Sequence, residues 1–206
     1  MPGMAHVNQE TEIKLAVPNA KFARLLLRAA GFRVCQPRVF ETNTVFDTPR
    51  RSLRKAAALL RVREAGGTNT LTYKGRPVAS RHKSREELEL KISDAGAAAA
   101  ILARLGFHPA SRYEKFRTEF RQPRRSGVIM LDETPIGVFL ELEGTAHWID
   151  RTARRLGFQE IHYITASYAR LYLEWCKRQQ IKPSNMVFEQ REASAFDRPG
   201  GLSHKH

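Results

Sequence analysis

Apolar and polar residues alternate along the opening of the chain. In the run QETEIKLAV, Glu10, Glu12 and Lys14 fall on one side and Thr11, Ile13 and Leu15 on the other. A side-chain period of two is the mark of a β-strand. Similar short alternating segments recur, and strands are predicted over 9–17, 38–47, 58–65, 69–75, 83–92, 114–121, 127–132 and 137–144. Helical spacing is confined to four stretches. Residues 18–30 can begin at Pro18, end at Gly31, and place Leu25, Leu26 and Ala29 on one side. Residues 93–105 have Ser93 or Asp94 as N-cap and Gly106 as stop. A third helix runs over about 146–156, ending at Gly157. A fourth, 165–179, carries Tyr168, Leu171, Tyr172 and Trp175, a stripe that reads as core packing. Periodicity fades from about 183, which predicts a domain over 8–182 and a flexible C-terminal tail over 183–206. Eight short strands with few helices indicate an antiparallel barrel or sandwich.

The polar positions of these strands are almost purely ionic. Arg61 and Arg63 flank Val62, and Thr72 and Lys74 alternate with Leu71 and Tyr73. Arg85, Glu87 and Glu89 share a face, which Lys83 joins if the strand starts that early. Lys115, Arg117 and Glu119 alternate with Phe116, Thr118 and Phe120; Asp132 follows an apolar run; Glu141 and Glu143 alternate with Leu140 and Leu142. A sheet with one solvated face also alternates, and for any single strand that explanation suffices. Like charges two apart, as in Glu10 with Glu12, Arg61 with Arg63 and Glu141 with Glu143, repel unless an opposite charge lies against them. Closed into a barrel, such faces would form an ionic interior that needs counter-charges: basic residues for phosphate oxygens, acids for a hard cation.

Composition narrows the setting. The 206 residues suit one domain, and 42% hydrophobic content allows a core. Lys and Arg outnumber Asp and Glu 35 to 21, a formal charge of +14 that favours anionic partners. Part of the excess lies in Arg124–Arg125, Arg154–Arg155 and Lys177–Arg178, which read as solvated surface. A nucleic-acid-binding barrel is disfavoured, because the charged faces carry too many acids and almost no aromatics. Cys35 and Cys176 are far apart and read as reduced thiols. No apolar run approaches the length of a membrane span, and the first ten residues lack a signal-peptide pattern. No membrane partner and a cytoplasmic location are the expectation. The seven histidines show no metal-ligand spacing, and Asp47 reads as a turn or cap residue.

Taken in order, the motifs resemble those of the CYTH family, the triphosphate tunnel metalloenzymes. The series comprises ExExK (Glu10, Glu12, Lys14), F-D-T (Phe46-Asp47-Thr48), L-R-x-R (Leu60–Arg63) and L-T-x-K (Leu71–Lys74). It continues with R-x-E-x-E (Arg85, Glu87, Glu89), K-x-R (Lys115, Arg117), Asp132, G-x-F-x-E-x-E (Gly137–Glu143) and a late S-Y-x-x-L (Ser167, Tyr168, Leu171). The resemblance implies an α+β fold, an eight-stranded antiparallel β-barrel forming a tunnel with helices packed outside. It implies metal ligation by Glu10, Glu12, Asp132, Glu141 and Glu143, with Mg²⁺ or Mn²⁺ as cofactor. Phosphate contacts fall to Lys14, Arg61, Arg63, Lys74, Arg85, Lys115 and Arg117. Glu87 and Glu89 are the candidate catalytic bases, with metal binding or structural pairing also open to them. The expected partner is a triphosphate-containing small molecule or inorganic polyphosphate, and a homodimer is an assembly that relatives often adopt. Water as nucleophile gives triphosphate hydrolysis; the 3′-hydroxyl of ATP gives cyclic AMP and pyrophosphate. Hydrolysis is the favoured expectation, because it does not require a posed ribose. A tunnel that only binds polyphosphate is the non-catalytic alternative.

Overall fold

The computed structural model describes residues 8–189 except 79, 124 and 125. Eight strands close into one antiparallel barrel: β1 (Asn8–Val17), β2 (Arg33–Asp47), β3 (Leu59–Ala65), β4 (Thr68–Lys74), β5 (Lys83–Ile92), β6 (His108–Arg121), β7 (Val128–Thr134) and β8 (Gly137–Glu143). Around the wall the order is β1-β5-β4-β3-β2-β6-β7-β8, and every pairing is antiparallel. Closure leaves no free sheet edge. All eight expected strands are present. β2 and β6 begin earlier than predicted, and their register shifts between Val34 and Gln36 and again between Gln36 and Val39. Such irregularity, beside Pro37, hides the period-two signal.

Among the described residues five α-helices accompany the barrel: α1 (Ala20–Ala29), α2 (Ser52–Lys55), α3 (Ala95–Arg104), α4 (Ala146–Arg155) and α5 (Tyr168–Gln179). Side-chain oxygens cap four of them, as Asn19, Asp94, Thr145 and Ser167 accept from the amides of Phe22, Ala97, Trp148 and Arg170. Helix α1 therefore starts after Asn19, not at Pro18. Its buried residues are Ala23 and Leu27, whereas Leu25 is 58% exposed, so the expected Leu25–Leu26–Ala29 face is rotated from the one that packs. The unpredicted α2 is held by Asp47, whose carboxylate accepts from the amides of Leu53 and Arg54 at 3.0 Å each.

The outer faces of β1, β6, β7 and β8 pack under α1 and α4 through Ile13, Leu15, Phe120, Ile129, Leu131, Leu140 and Leu142 against Leu27, Trp148 and Ile149. Trp148 lies so close to Gly127 (φ +102) that a Cβ there would come within 2.5 Å of its indole. Helix α3 packs through Leu102 on Phe46 of β2 and Val62 of β3, with Leu71 of β4 against the same cluster. A third cluster joins Phe139, Tyr168 and Met186, with Tyr113 and Ile164 packed against it.

Met186 lies in the stretch expected as a tail. Its main chain pairs with β6, donating to the Arg112 carbonyl and accepting from the Glu114 amide. Residues 183–189 thus dock on the barrel, past the expected boundary at 182; residues 190–206, with His204 and His206, lie outside the described residues, as do Arg124 and Arg125. No helix among the described residues is long and apolar enough to cross a membrane.

Candidate active site: an ionic barrel interior

The period-two alternation sends the apolar residues outward and the charged residues into the barrel. Strand β1 contributes Glu10, Glu12 and Lys14, all buried. Register then decides neighbours: Glu10 faces Arg85 and Glu12 faces Lys83 on β5, while Glu12 and Lys14 face Glu143 and Glu141 on β8. On the opposite wall Arg61 and Arg63 of β3 lie beside Thr72 and Thr70 of β4, and Arg117 of β6 lies beside Asp132 of β7.

Many of these groups meet in two ion-pair clusters, one around Asp132 and Glu141 and one around Lys74. The Arg117 guanidinium donates to both Asp132 oxygens at 2.7 Å and to Glu141 at 3.0 Å. Lys115 donates to Asp132 at 2.9 Å, and Lys14 lies 3.1 Å from Glu141 and 3.2 Å from Glu12. Lys74 bridges Glu10 at 2.6 Å and Glu87 at 3.1 Å. Glu89 is further out, with its side chain 44% exposed, and accepts from the Thr72 hydroxyl at 3.0 Å. All fourteen predicted site residues belong to this lining, and Glu89 stands at its accessible margin.

Electrostatics divide the acids into two groups. Burial alone would raise every one of them. For Glu12 the ammonium groups of Lys14 and Lys83 outweigh burial and hold it at about 2. Glu141 is likewise held well below the usual carboxylate value by Lys14 and Arg117. Glu143 goes the other way: burial, Glu10 and Glu141 push it up to about 7. Glu10 is also raised, by burial and then by Glu12. Glu10 and Glu143 are thus the acids that their basic neighbours do not fully offset, and their carboxylate oxygens are the donor chemistry of a hard divalent cation. Asp132 and Glu141 are instead enclosed by cations. Among the described residues no three carboxylates, histidines or cysteines converge as a ready ligand cluster.

Several lining residues had not been named as candidate site residues. Glu41, held at about 2 because Lys115 and Arg117 outweigh its burial, and Asn43 alternate on β2 as the other strands' polar residues do, so the same period would have found them. Lys83 joins because β5 does start early. Tyr113 accepts from Arg61 at 3.2 Å. Tyr168 was assigned to core packing, and its ring does pack on Phe139, but its hydroxyl donates to Asp132 at 2.7 Å. The S-Y-x-x-L motif marked the residue; only the docking of α5 shows what its hydroxyl reaches.

Fold and site together define a closed antiparallel barrel with a charged, buried interior. The CYTH domain model matches residues 8–194, and the chain belongs to the CYTH family. That family comprises divalent-metal-dependent enzymes, adenylyl cyclases and triphosphatases. A protein of Methanocaldococcus jannaschii, MJ0240, named as a candidate adenylate cyclase, is 31% identical over 134 residues, 65% of this chain and 75% of its own. The structure of PH1819 from Pyrococcus horikoshii superposes with a TM-score of 0.69 at 26% identity, covering 80% of this chain and 98% of that one. A Hippeastrum protein, HpAC1, described as a candidate adenylyl cyclase with a dominant triphosphatase activity, shares the fold with a TM-score of 0.60 at 21% identity, covering 84% and 97%.

Proposed function

We propose that this protein hydrolyses a triphosphate, inorganic or organic, with the help of Mg²⁺ or Mn²⁺. The observation that carries the reading is the placement of Lys14, Arg61, Arg63, Lys74, Arg85, Lys115 and Arg117 inside one barrel, too buried to serve as a solvated surface. Their guanidinium and ammonium groups bind phosphoryl oxygens along the tunnel and offset the negative charge that grows there in the transition state. Glu10, Glu12 and Glu143, with Asp132 and Glu141 once a phosphate draws away their basic partners, are the residues to hold the metal. Bound there, the ion polarises phosphoryl oxygens and acidifies water. In this reading Glu87, beside Lys74, and Glu89, at the margin, accept the proton of the attacking water. The new O–P bond forms as a bridging P–O bond breaks, releasing phosphate and diphosphate. A cytoplasmic location accords with the two free cysteines.

The name of the M. jannaschii relative favours a second reading, in which ribose attacks the α-phosphate of ATP and pyrophosphate leaves. Incubation with tripolyphosphate, thiamine triphosphate and ATP, each with Mg²⁺ or Mn²⁺, separates the two. Phosphate release from tripolyphosphate well above that from ATP is expected. Cyclic AMP with pyrophosphate would move the assignment to cyclase, and absence of any turnover would remove the enzymatic reading.

A further inference from the structure

Part of the chain's excess positive charge gathers over the outer apolar cluster, where the ends of α1 and α4 meet the start of β2. Two clefts adjoin there. The first, about 460 Å³, is walled by Arg24 and Arg28 of α1 and Arg33 of β2. The second, about 280 Å³, is walled by Arg151 and Arg155 of α4 with Gln122 and Thr152. Phe32 lines both. A Cβ added at Gly31, which borders the first cleft, would lie 3.9 Å from the Arg155 guanidinium. The five arginines thus line one continuous surface, and none of them takes part in the ion-pair clusters of the tunnel.

Little neutralises this surface. Of the five, only Arg24 has an acidic partner among the described residues, Glu133 at 3.5 Å. Among the described residues no acid lines either cleft, and Asp150 of α4 turns instead to Arg81 and His82. The acids that disqualify the inner strand faces as a nucleic-acid surface are therefore missing here. Arg28, Arg33, Arg151 and Arg155 are all exposed. A basic residue in the last turn favours a helix end, which accounts for Arg28 and Arg155. It does not account for Arg33, which stands directly opposite Arg121 in the β2–β6 register. Like charges in that position are unfavourable unless an anion lies against them.

The shape and chemistry of the clefts select the anion. Every cation in them is a guanidinium, whose paired N–H donors match phosphate oxygens. Spread over two adjoining clefts, they suit a chain that repeats its phosphate rather than a single ion. Phe32 and Trp148, in the floor, are 3% and 4% exposed, so bases find no ring to stack on and the contact is with the backbone. An anionic bilayer is the competing partner, since Phe22 and Leu25 of α1 are 44% and 58% exposed. A flat lipid surface cannot enter the clefts in whose walls the arginines stand.

We propose that this surface binds nucleic acid, as a strand held through its phosphodiester backbone without regard to sequence. The proposal stands or falls independently of the triphosphatase reading.

The test uses the full-length protein and a labelled single-stranded RNA of ~20 nucleotides, long enough to cross both clefts. The RNA has a 5′-hydroxyl end and so offers the tunnel no triphosphate. Anisotropy titrations are run at several salt concentrations. For the four cleft arginines without an acid, the wild-type slope of log affinity on log salt should be about −3. The variant Arg28→Gln/Arg33→Gln/Arg155→Gln removes three exposed side chains; its slope should shrink to about −1 and its low-salt affinity should fall about tenfold or more. A charge-matched control, Arg104→Gln/Lys177→Gln/Arg178→Gln, changes exposed residues of α3 and α5 and should bind nearly as the wild type does. Equal losses in the two variants would show diffuse attraction to net charge and overturn the site, as would no loss in the first. If the wild type ignores the RNA but sediments with phosphatidylserine vesicles, and the first variant does not, the surface serves a membrane and the proposal is overturned. Absence of binding to either probe overturns it as well.

Discussion

The two faces of the barrel wall are both largely buried and chemically opposite. On the outer face Ile13, Leu15, Leu131, Leu140 and Leu142 are fully buried under α1 and α4. On the inner face of the same strands Glu12, Lys14, Asp132 and Glu141 are buried almost as deeply. The outer side chains lose nothing by leaving water, and the contact itself stabilises. The inner ones must be matched charge for charge, because an isolated ion in that setting would be strongly unfavourable. Depth of burial therefore does not distinguish core from site. The distinction is whether the buried groups satisfy one another without outside help, and the inner face, with its raised Glu143 and its unpaired Asn43 and Thr70, does not.

The largest expected effect comes from breaking the inner face. Arg117→Ala leaves Asp132 and Glu141 without their closest cation and should destabilise the fold by ~3–5 kcal/mol in urea titration. Activity against tripolyphosphate should fall more than a hundredfold, by an order-of-magnitude reading of lost phosphate contacts. If the variant instead gains stability, repulsion among the inner cations dominates in the unliganded tunnel and the balance drawn above is wrong. Leu140→Ala breaks the outer face of β8, one residue from Glu141. A stability loss of ~2–5 kcal/mol is expected, with turnover per folded molecule nearly unchanged at a temperature where the variant remains native. Similar losses of turnover in both variants would erase the contrast between the faces.

The alternation that makes this comparison possible is also why so much was legible beforehand. A wall that is apolar on one side and ionic on the other writes both faces into the sequence at period two, so Ile13 and Lys14 announce their directions without a structure. Helix ends were legible for a local reason, since Asp94 with Gly106 and the stop at Gly157 act within a few residues. Contacts made by backbone, or across the molecule, were not. Met186 docks on β6 through main-chain hydrogen bonds that leave no side-chain pattern. Tyr168 keeps the spacing of an ordinary helical stripe, and its role depends on where α5 meets the barrel. The face of α1 was misjudged because Leu25 is more hydrophobic than the buried Ala23, and composition outweighed geometry in the reading.

Tyr168 joins the two regimes, with its ring in an apolar cluster and its hydroxyl on Asp132, so Tyr168→Phe should separate them. Removing one buried hydrogen bond to a charged group is expected to lower stability by ~1.5–3 kcal/mol, less than either truncation at its upper range. The effect should be seen as a shift of the urea midpoint at unchanged slope. A neutral result would mean that Arg117 and Lys115 alone satisfy Asp132.

The smallest effect lies outside the tunnel, where charge is also paired but the groups are nearer water. Asp150 of α4 accepts from the Tyr163 hydroxyl at 3.1 Å, lies 2.7 Å from His82 Nε2 and 3.0 Å from Arg81, tying the loop before β5 to α4. Burial would raise its carboxyl, but the hydrogen bond with His82, then Tyr163 and Arg81, hold it below the ordinary aspartate value. A depressed folded-state value means the unfolded chain takes up the proton first as pH falls. The stabilisation from Asp150 is therefore complete above the unfolded aspartate range and is lost as pH descends through the folded value. Melting temperatures of the wild type and of Asp150→Asn should differ at neutral pH and converge in acid. A constant offset across that range would show that Asp150 acts through shape rather than charge. Turnover should not follow this titration, since the cluster meets the tunnel through backbone, where His82 joins Lys83 and where Ile164, next to Tyr163, pairs with Lys14.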